Sequence, residues 1–210
     1  MAKLKTIEEA IFPELGIYNI KLVENYVVST KEELSKALKK VSIPCYMKGV
    51  SVADLHKSDK GLVREITSEQ EAFAFFDELK ETNDPDLFAV VQKRATGVEI
   101  FIGIKKDNLF NYIFLFGLGG VFVEVYRDIS YGILPVSKSE LLEVIAQTKI
   151  GKSLLKGYRG YGIDVDYIYN LLRNSYKMLK ENDYSEIEFN PIIISKKGKT
   201  TAVDVKIVKE

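Results

Sequence analysis

Histidine and cysteine are almost missing from this 210-residue chain, which holds one of each, His56 and Cys45. A lone thiol closes no internal disulfide, and Cys45 sits in an apolar run where it behaves as a small hydrophobe, so a reducing, cytoplasmic compartment is expected. One imidazole and one thiol cannot furnish the nitrogen and sulfur ligands of a zinc site, so any metal here should be hard and oxygen-bound. Net charge is missing too. The 30 basic and 30 acidic side chains cancel and the lysines are spread, which leaves no global field to draw nucleic acid or an anionic membrane. No run approaches the ~18 apolar residues of a membrane helix, and the opening Met1-Ala2-Lys3-Leu4-Lys5-Thr6-Ile7-Glu8-Glu9 lacks the apolar stretch of a signal peptide.

With 46% hydrophobic and 29% charged residues, the chain can bury a core and make one domain or two small lobes. Capping boxes at Thr30 with Glu33, Ser68 with Glu71 and Ser137 with Glu140 each open a stretch with helical apolar spacing. A fourth helix is expected over 167–179. Strands are expected over 26–28, 45–48, 88–92, 99–104, 113–116, 121–125, 186–194 and 201–208. They outnumber the helices without alternating with them, which argues for an α+β fold. The Asn83-Asp84-Pro85-Asp86 cluster marks the boundary. The expected division is 1–86, a small lobe, and 87–210, a larger one.

Several segments could carry chemistry. His56 lies in the polar Leu55-His56-Lys57-Ser58-Asp59-Lys60-Gly61; an imidazole there can carry a proton, bind a metal or take up a phosphoryl group, and a merely solvated histidine is the bland alternative. Glu186, Glu188 and Asn190 alternate with Ile187 and Phe189, which puts three oxygen-bearing side chains on one face of a strand. If Lys197-Gly198 is a two-residue hairpin loop, Val205 pairs with Asn190 and Asp204 with Pro191, and another loop length slides this by about one residue. Asn190 and Asp204 would then make an oxygen pair suited to Mg²⁺, or simply a solvated face. Phe116-Gly117-Leu118-Gly119-Gly120 precedes an expected strand, and its amides could meet phosphate or merely form a tight turn. It matches neither a P-loop nor a dinucleotide fingerprint. Lys48 ends an apolar strand, where it could snorkel to water or neutralise phosphate.

Taken in order, Met47-Lys48, Leu55-His56-Lys57-Ser58-Asp59, Val91-Gln92, Gly97-Val98-Glu99, Phe116-Gly117-Leu118-Gly119-Gly120-Val121-Phe122-Val123-Glu124-Val125 with Asp128, Gly157-Tyr158-Arg159-Gly160, and Glu188-Phe189-Asn190-Pro191 with Asp204 resemble the ATP-grasp β subunit of ADP-forming acetyl-CoA (acyl-CoA) synthetases, relatives of succinyl-CoA synthetase. The resemblance spans nearly the whole chain. It implies an ATP-grasp fold whose two lobes clamp ATP or ADP with Mg²⁺. It further implies that His56 accepts a phosphoryl group, that Glu188 steadies the phosphohistidine, and that Asn190 and Asp204 hold Mg²⁺. Lys48 would contact nucleotide phosphates, with Gln92, Glu99, Gly119, Gly120 and Glu124 at the nucleotide site. An α subunit with CoA-binding and ligase domains would complete a hetero-oligomer. The rivals are an ATP-grasp ligase that phosphorylates a carboxylate directly and a nucleotide-binding regulatory subunit without turnover. Three departures from the family pattern bear on the last: Leu62 where a second glycine is usual, Lys93 where an acid is common, and Gly132 where an arginine is frequent.

Overall fold

In a computed structural model of the chain, the described residues are 4–51, 62–82, 87–120, 123–182, 184–196 and 198–209. They form two compact units, one taking in the chain up to Ile17 and Lys21–Arg94, the other Tyr18–Ile20 and the chain from Ala95. No described helix is long and apolar enough to cross a membrane.

The smaller unit runs α1 (Ile7–Ala10), α2 (Pro13–Ile17), β1 (Asn25–Val28), α3 (Lys31–Val41), β2 (Cys45–Ser51), β3 (Val63–Ile66), α4 (Glu69–Glu81) and β4 (Leu87–Lys93). Its four strands form an antiparallel sheet in the order β1-β4-β2-β3. The expected boundary after Asp86 is therefore misplaced. Leu87–Lys93 pairs on both sides within this sheet, so the chain leaves the unit only after Arg94. Helix α3 starts where Thr30 accepts the Glu33 N–H at 3.2 Å, while the Glu33 carboxylate reaches the Ser29 N–H rather than closing the expected reciprocal box. Helix α4 does close its box, between Ser68 and Glu71. Their apolar stripes, Leu34, Leu38 and Val41 with Phe75, Phe76 and Leu79, join Cys45, Met47 and Val91 in one buried cluster. Burial alone pushes the Cys45 thiol up to about 11.

The larger unit runs β5 (Val98–Asp107), β6 (Asn111–Leu118), α5 (Val123–Tyr126), β7 (Ile129–Ile133), α6 (Lys138–Gln147), α7 (Lys149–Leu155), a 3₁₀ turn at Tyr158–Gly160, α8 (Val165–Glu181), β8 (Tyr184–Ile194), β9 (Thr200–Ala202) and β10 (Lys206–Lys209). The sheet is antiparallel, in the order β10-β8-β5-β6-β7 with β9 also on β8. Ile102, Ile104, Phe114, Phe116, Ile187 and Phe189 are wholly buried on the face that packs against α6 and α8. Each such side chain contributes roughly 1.5–3 kcal/mol of burial free energy.

Two expected strands differ. The β-branched Val121-Phe122-Val123-Glu124-Val125 reads as a strand, but Val123–Tyr126 is a helical turn. The last ladder bond runs from the Gly119 N–H to the Glu99 carbonyl, and Gly120 then reverses the chain at φ +76°, so no strand neighbour is left for the run that follows. The expected strand 201–208 is broken into β9 and β10 around Val203, Asp204 and Val205, where the Asp204 carboxylate accepts the Val205 N–H.

Candidate functional site

In the larger unit, backbone geometry assembles four of the expected residues. The Gly119 N–H donates to the Glu99 carbonyl at 2.9 Å, and the Gly120 N–H donates to Asn190 Oδ1 at 2.9 Å. Side chains are excluded at both glycines. A Cβ on Gly119 would stand 2.5 Å from the Ile100 carbonyl, and one on Gly120 would stand 1.8 Å from the Glu99 carboxylate at a φ that L residues rarely adopt. Glu99, Gly119, Gly120 and Asn190 thus meet from three strands, with Glu124 on the helical turn that follows. Asn190 reaches the glycines through a bulge. Ile100 pairs with Ile192 but Ile102 with Phe189, so Asn190 and Pro191 together oppose Phe101.

The hairpin behaves as its alternation requires. Glu186, Glu188 and Asn190 are half-buried, and Ile187 and Phe189 between them are fully buried. Its register is one residue from the one a two-residue loop would give. Ser195 and Lys199 close the turn, Ile192 faces Ala202, and Glu188 faces Lys206, so counting between these pairs sets Asp204 opposite Asn190. Glu188 also stands between Lys206 and Gly103, an opposite charge on one side and no side chain on the other. Among the described residues no three His, Cys, Asp or Glu side chains gather as a metal cage. The carboxylate and amide oxygens of Asp204 and Asn190 instead fit Mg²⁺, which takes few protein oxygens and keeps water and phosphate as its other ligands.

In the smaller unit, Lys48 lies inside β2 rather than at its end and is only 4% exposed, which rules out snorkelling. It pairs with Val90 while Tyr46 pairs with Gln92, so Lys48 and the equally buried Gln92 are diagonal neighbours on one sheet face. Lys93, one departure from the family pattern, is bound to the Glu24 carboxylate at 3.1 Å. Gly132, another, has the Phe114 ring 2.5 Å from where a Cβ would be, so Phe114 fills the space of any longer side chain there. Leu62 packs on the small core and accepts the Gly49 N–H. His56 lies outside the described residues.

Sequence reasoning missed one polar knot. Asn25 accepts the Ile7 N–H at 2.6 Å and donates to Glu8 and to the Val23 carbonyl, tying α1 to β1. The lone polar Asn25 opening a β-branched strand was the available signal.

Residues 8–208 match the family described as ATP-grasp domain. The chain is 30% identical over 206 residues to the acetate–CoA ligase [ADP-forming] II subunit beta of Pyrococcus furiosus, spanning 92% of this chain and 87% of that one. It is 31% identical over 192 residues to acetate–CoA ligase [ADP-forming] II of Archaeoglobus fulgidus, covering 91% of this chain but only 28% of that longer protein. Among solved structures it resembles the dinucleotide-forming acetyl-coenzyme A synthetase 1 of Ca. Korarchaeum cryptofilum with coenzyme A and Mg-AMPPCP, whose phosphohistidine segment is described as pointing towards the nucleotide-binding site. The TM-score is 0.72 at 32% identity, over 93% of this chain and 88% of that one.

Proposed function

Since this chain belongs to the ATP-grasp domain family, we propose that it is the β subunit of an ADP-forming acyl-CoA synthetase, the subunit that exchanges a phosphoryl group between nucleotide and His56. The reading is supported above all by the hydrogen bond from the Gly120 N–H to Asn190, which joins the glycine segment to the Asn-Pro strand 70 residues away. Two of the motifs that carry the family resemblance are thereby one structure. In the half-reaction a neutral His56 nitrogen attacks the γ-phosphorus of ATP as the bond to ADP breaks, and the reverse step returns the group to ADP. Glu188 accepts the N–H of the other ring nitrogen and favours the cationic ring that forms. Lys48 neutralises phosphate, and Asn190 with Asp204 would hold the Mg²⁺ that shields the transferred charge. An α subunit would carry the phosphate onward to the acyl group and CoA. The overall change is acyl-CoA, ADP and phosphate to acid, ATP and CoA, or its reverse, in the cytoplasm.

The test is to incubate the full chain with Mg²⁺ and γ-labelled ATP. Acid-labile, base-stable label is expected on the parent and none on His56→Ala, which should still bind nucleotide. Label retained by His56→Ala would sink the relay, and nucleotide binding without label on the parent would favour the regulatory reading.

A further inference from the structure

Asn190 is fixed by its bond from Gly120, but Asp204 opposite it stands where the sheet's own hold is interrupted. Ala202 pairs with Ile192 and Lys206 with Glu188, and the three residues between belong to neither β9 nor β10. Within that gap the Val203 N–H donates to the Pro191 carbonyl at 3.0 Å, and Pro191, which has no N–H, returns no ladder bond. The Asp204 carboxylate accepts only forward along its own chain, from the Val205 N–H at 3.0 Å, among the bonds that place it. The sheet sets Asp204 opposite Asn190 without holding it there by a full ladder.

A second hold comes from outside the sheet. The bonds Ser195 N–H to Lys199 O and Val203 N–H to Pro191 O show that odd-numbered residues of this segment address β8, so Thr200 and Ala202 turn their backbone groups the other way. No described strand lies on that side. There the Ala202 N–H donates to the Tyr167 hydroxyl at 2.9 Å. Ala202 is wholly buried, and without this acceptor its N–H would be left unpaired away from water.

Tyr167 is itself firmly seated. It lies in the first turn of α8, a 17-residue helix buried along Ile168, Leu171, Leu172, Met178 and Leu179. Its N–H donates to the capping Asp164 carboxylate at 2.9 Å, and the Asp164 N–H donates to Thr200 Oγ1 at 3.4 Å. The start of α8 therefore grips β9 at Thr200 and at Ala202, four and two residues before Asp204. The Gly157-Tyr158-Arg159-Gly160 segment, which carries the family resemblance but has no part in the proposed chemistry, leads into this grip. The Lys196 carbonyl lies 3.5 Å from where a Cβ on Gly160 would be, so that segment rests against the hairpin turn.

We propose that Tyr167 is a positioning residue for Mg²⁺: its hydroxyl, through the Ala202 N–H, keeps the Asp204 carboxylate within reach of an ion shared with Asn190. The role rests on the reading of Asn190 and Asp204 as the residues that hold the ion, and it needs no contact between Tyr167 and the metal. Mg²⁺ is the cation for which such a brace matters most, because it binds oxygen at about 2.0–2.1 Å in a near-ideal octahedron and tolerates little wandering of a ligand.

Calorimetric titration of the full chain with ADP, in Mg²⁺ and in EDTA, tests the brace without phosphoryl transfer. Tyr167→Phe keeps the ring and removes the acceptor. Affinity in EDTA should stay within about twofold, while the factor by which Mg²⁺ tightens ADP binding should shrink about two- to tenfold, the scale of one net hydrogen bond. Asp204→Ala should shrink the same factor, and Tyr167→Phe added to it should shrink it no further. A Tyr167→Phe protein that melts earlier yet keeps the parental Mg²⁺ factor would overturn the proposal and leave the metal pair standing, with the tyrosine a brace of the fold alone. A further shrinkage on top of Asp204→Ala would overturn it too, because the hydroxyl would then act through some other group. If Asp204→Ala itself keeps the parental factor, the metal pair falls, and the role of Tyr167 falls with it.

Discussion

In the larger unit, Glu99, Gly119, Gly120 and Asn190 are placed by the backbone: two N–H groups, a carbonyl, one bulge and two positions where a Cβ does not fit. In the smaller unit, Lys48 and Gln92 sit on a regular ladder that would pair equally well with other residues, and what is unusual is that a lysine and a glutamine are buried there. The first arrangement makes the site part of what holds the sheet together. The second buries an ammonium and an amide, at a desolvation cost to the fold. Substitutions should therefore act on stability in one unit and on binding in the other.

The largest effect tests that contrast directly. Gly119→Ala forces a methyl group against the Ile100 carbonyl, backbone that cannot give way, and should cost about 1–3 kcal/mol or more together with nucleotide binding. Lys48→Met keeps the volume and removes the buried charge. It should hold or raise the melting temperature while weakening nucleotide affinity by roughly tenfold or more, the scale of one hydrogen bond to a charged group. Thermal unfolding and calorimetric titration of both variants would read this, and a Lys48→Met protein that melts as early as Gly119→Ala would end the distinction.

Glu188→Gln separates chemistry from binding within the larger unit. The carboxylate is half-buried beside Lys206, and an amide of the same shape keeps the packing. Nucleotide affinity should stay within a few fold while labelling of His56 slows by roughly 10², the scale of losing one preorganised electrostatic contact. Labelling at the parental rate would reduce Glu188 to a strand residue. Asn190→Ala and Asp204→Ala, smaller in expected effect, should weaken nucleotide binding more with Mg²⁺ than without it, measured by parallel titrations. Asn190→Ala should also lower the melting temperature, because Gly120 loses its acceptor, and Asp204→Ala should lower it as well, because Val205 loses one. Equal losses with and without the ion would leave the hairpin face a solvated one.

What was legible in the sequence divides along the same line. Apolar periodicity and capping residues marked α3, α4, α6 and α8, since those signals are local and the core confirms them. Strand alternation put Glu186, Glu188 and Asn190 on one face correctly. Strand β7 was missed although Ile129, Tyr131 and Ile133 alternate with Ser130 and Gly132, because five residues with an interior glycine make a short, weak signal. The turn at Val123–Tyr126 was misread because β-branched residues look like a strand whether or not a neighbouring strand is within reach. The bulge at Asn190, which decides what that side chain touches, depends on the register against β5, and Pro191 inside a central strand was its mark on β8. Glu99 entered only through the family resemblance, and the Gly119 N–H on its carbonyl is a tertiary fact.

Asp128 shows how a residue can carry the family resemblance for reasons of architecture. Its two carboxylate oxygens accept the Lys149 and Ile150 N–H groups, each at 2.8 Å, which closes the first turn of α7 and pins it below the end of β6. A negative charge at a helix start gains from the exposed N–H groups and from the axial dipole. Asp128→Asn keeps one acceptor and loses the charge. We expect a loss of about 0.5–1 kcal/mol that shrinks as salt is raised, because screening weakens the charge–dipole part and spares the hydrogen bond. Nucleotide affinity and the rate of His56 labelling should stay at parental values, since the Asp128 carboxylate accepts from the start of α7 and its carbonyl from Leu118, neither of them a residue assigned to the chemistry. Denaturant unfolding at two salt concentrations, run beside the labelling assay, would read both. If Asp128→Asn slowed labelling while leaving stability unchanged, the residue would belong with Glu188 in the chemistry, and the line drawn here between backbone that builds the site and side chains that use it would have to move.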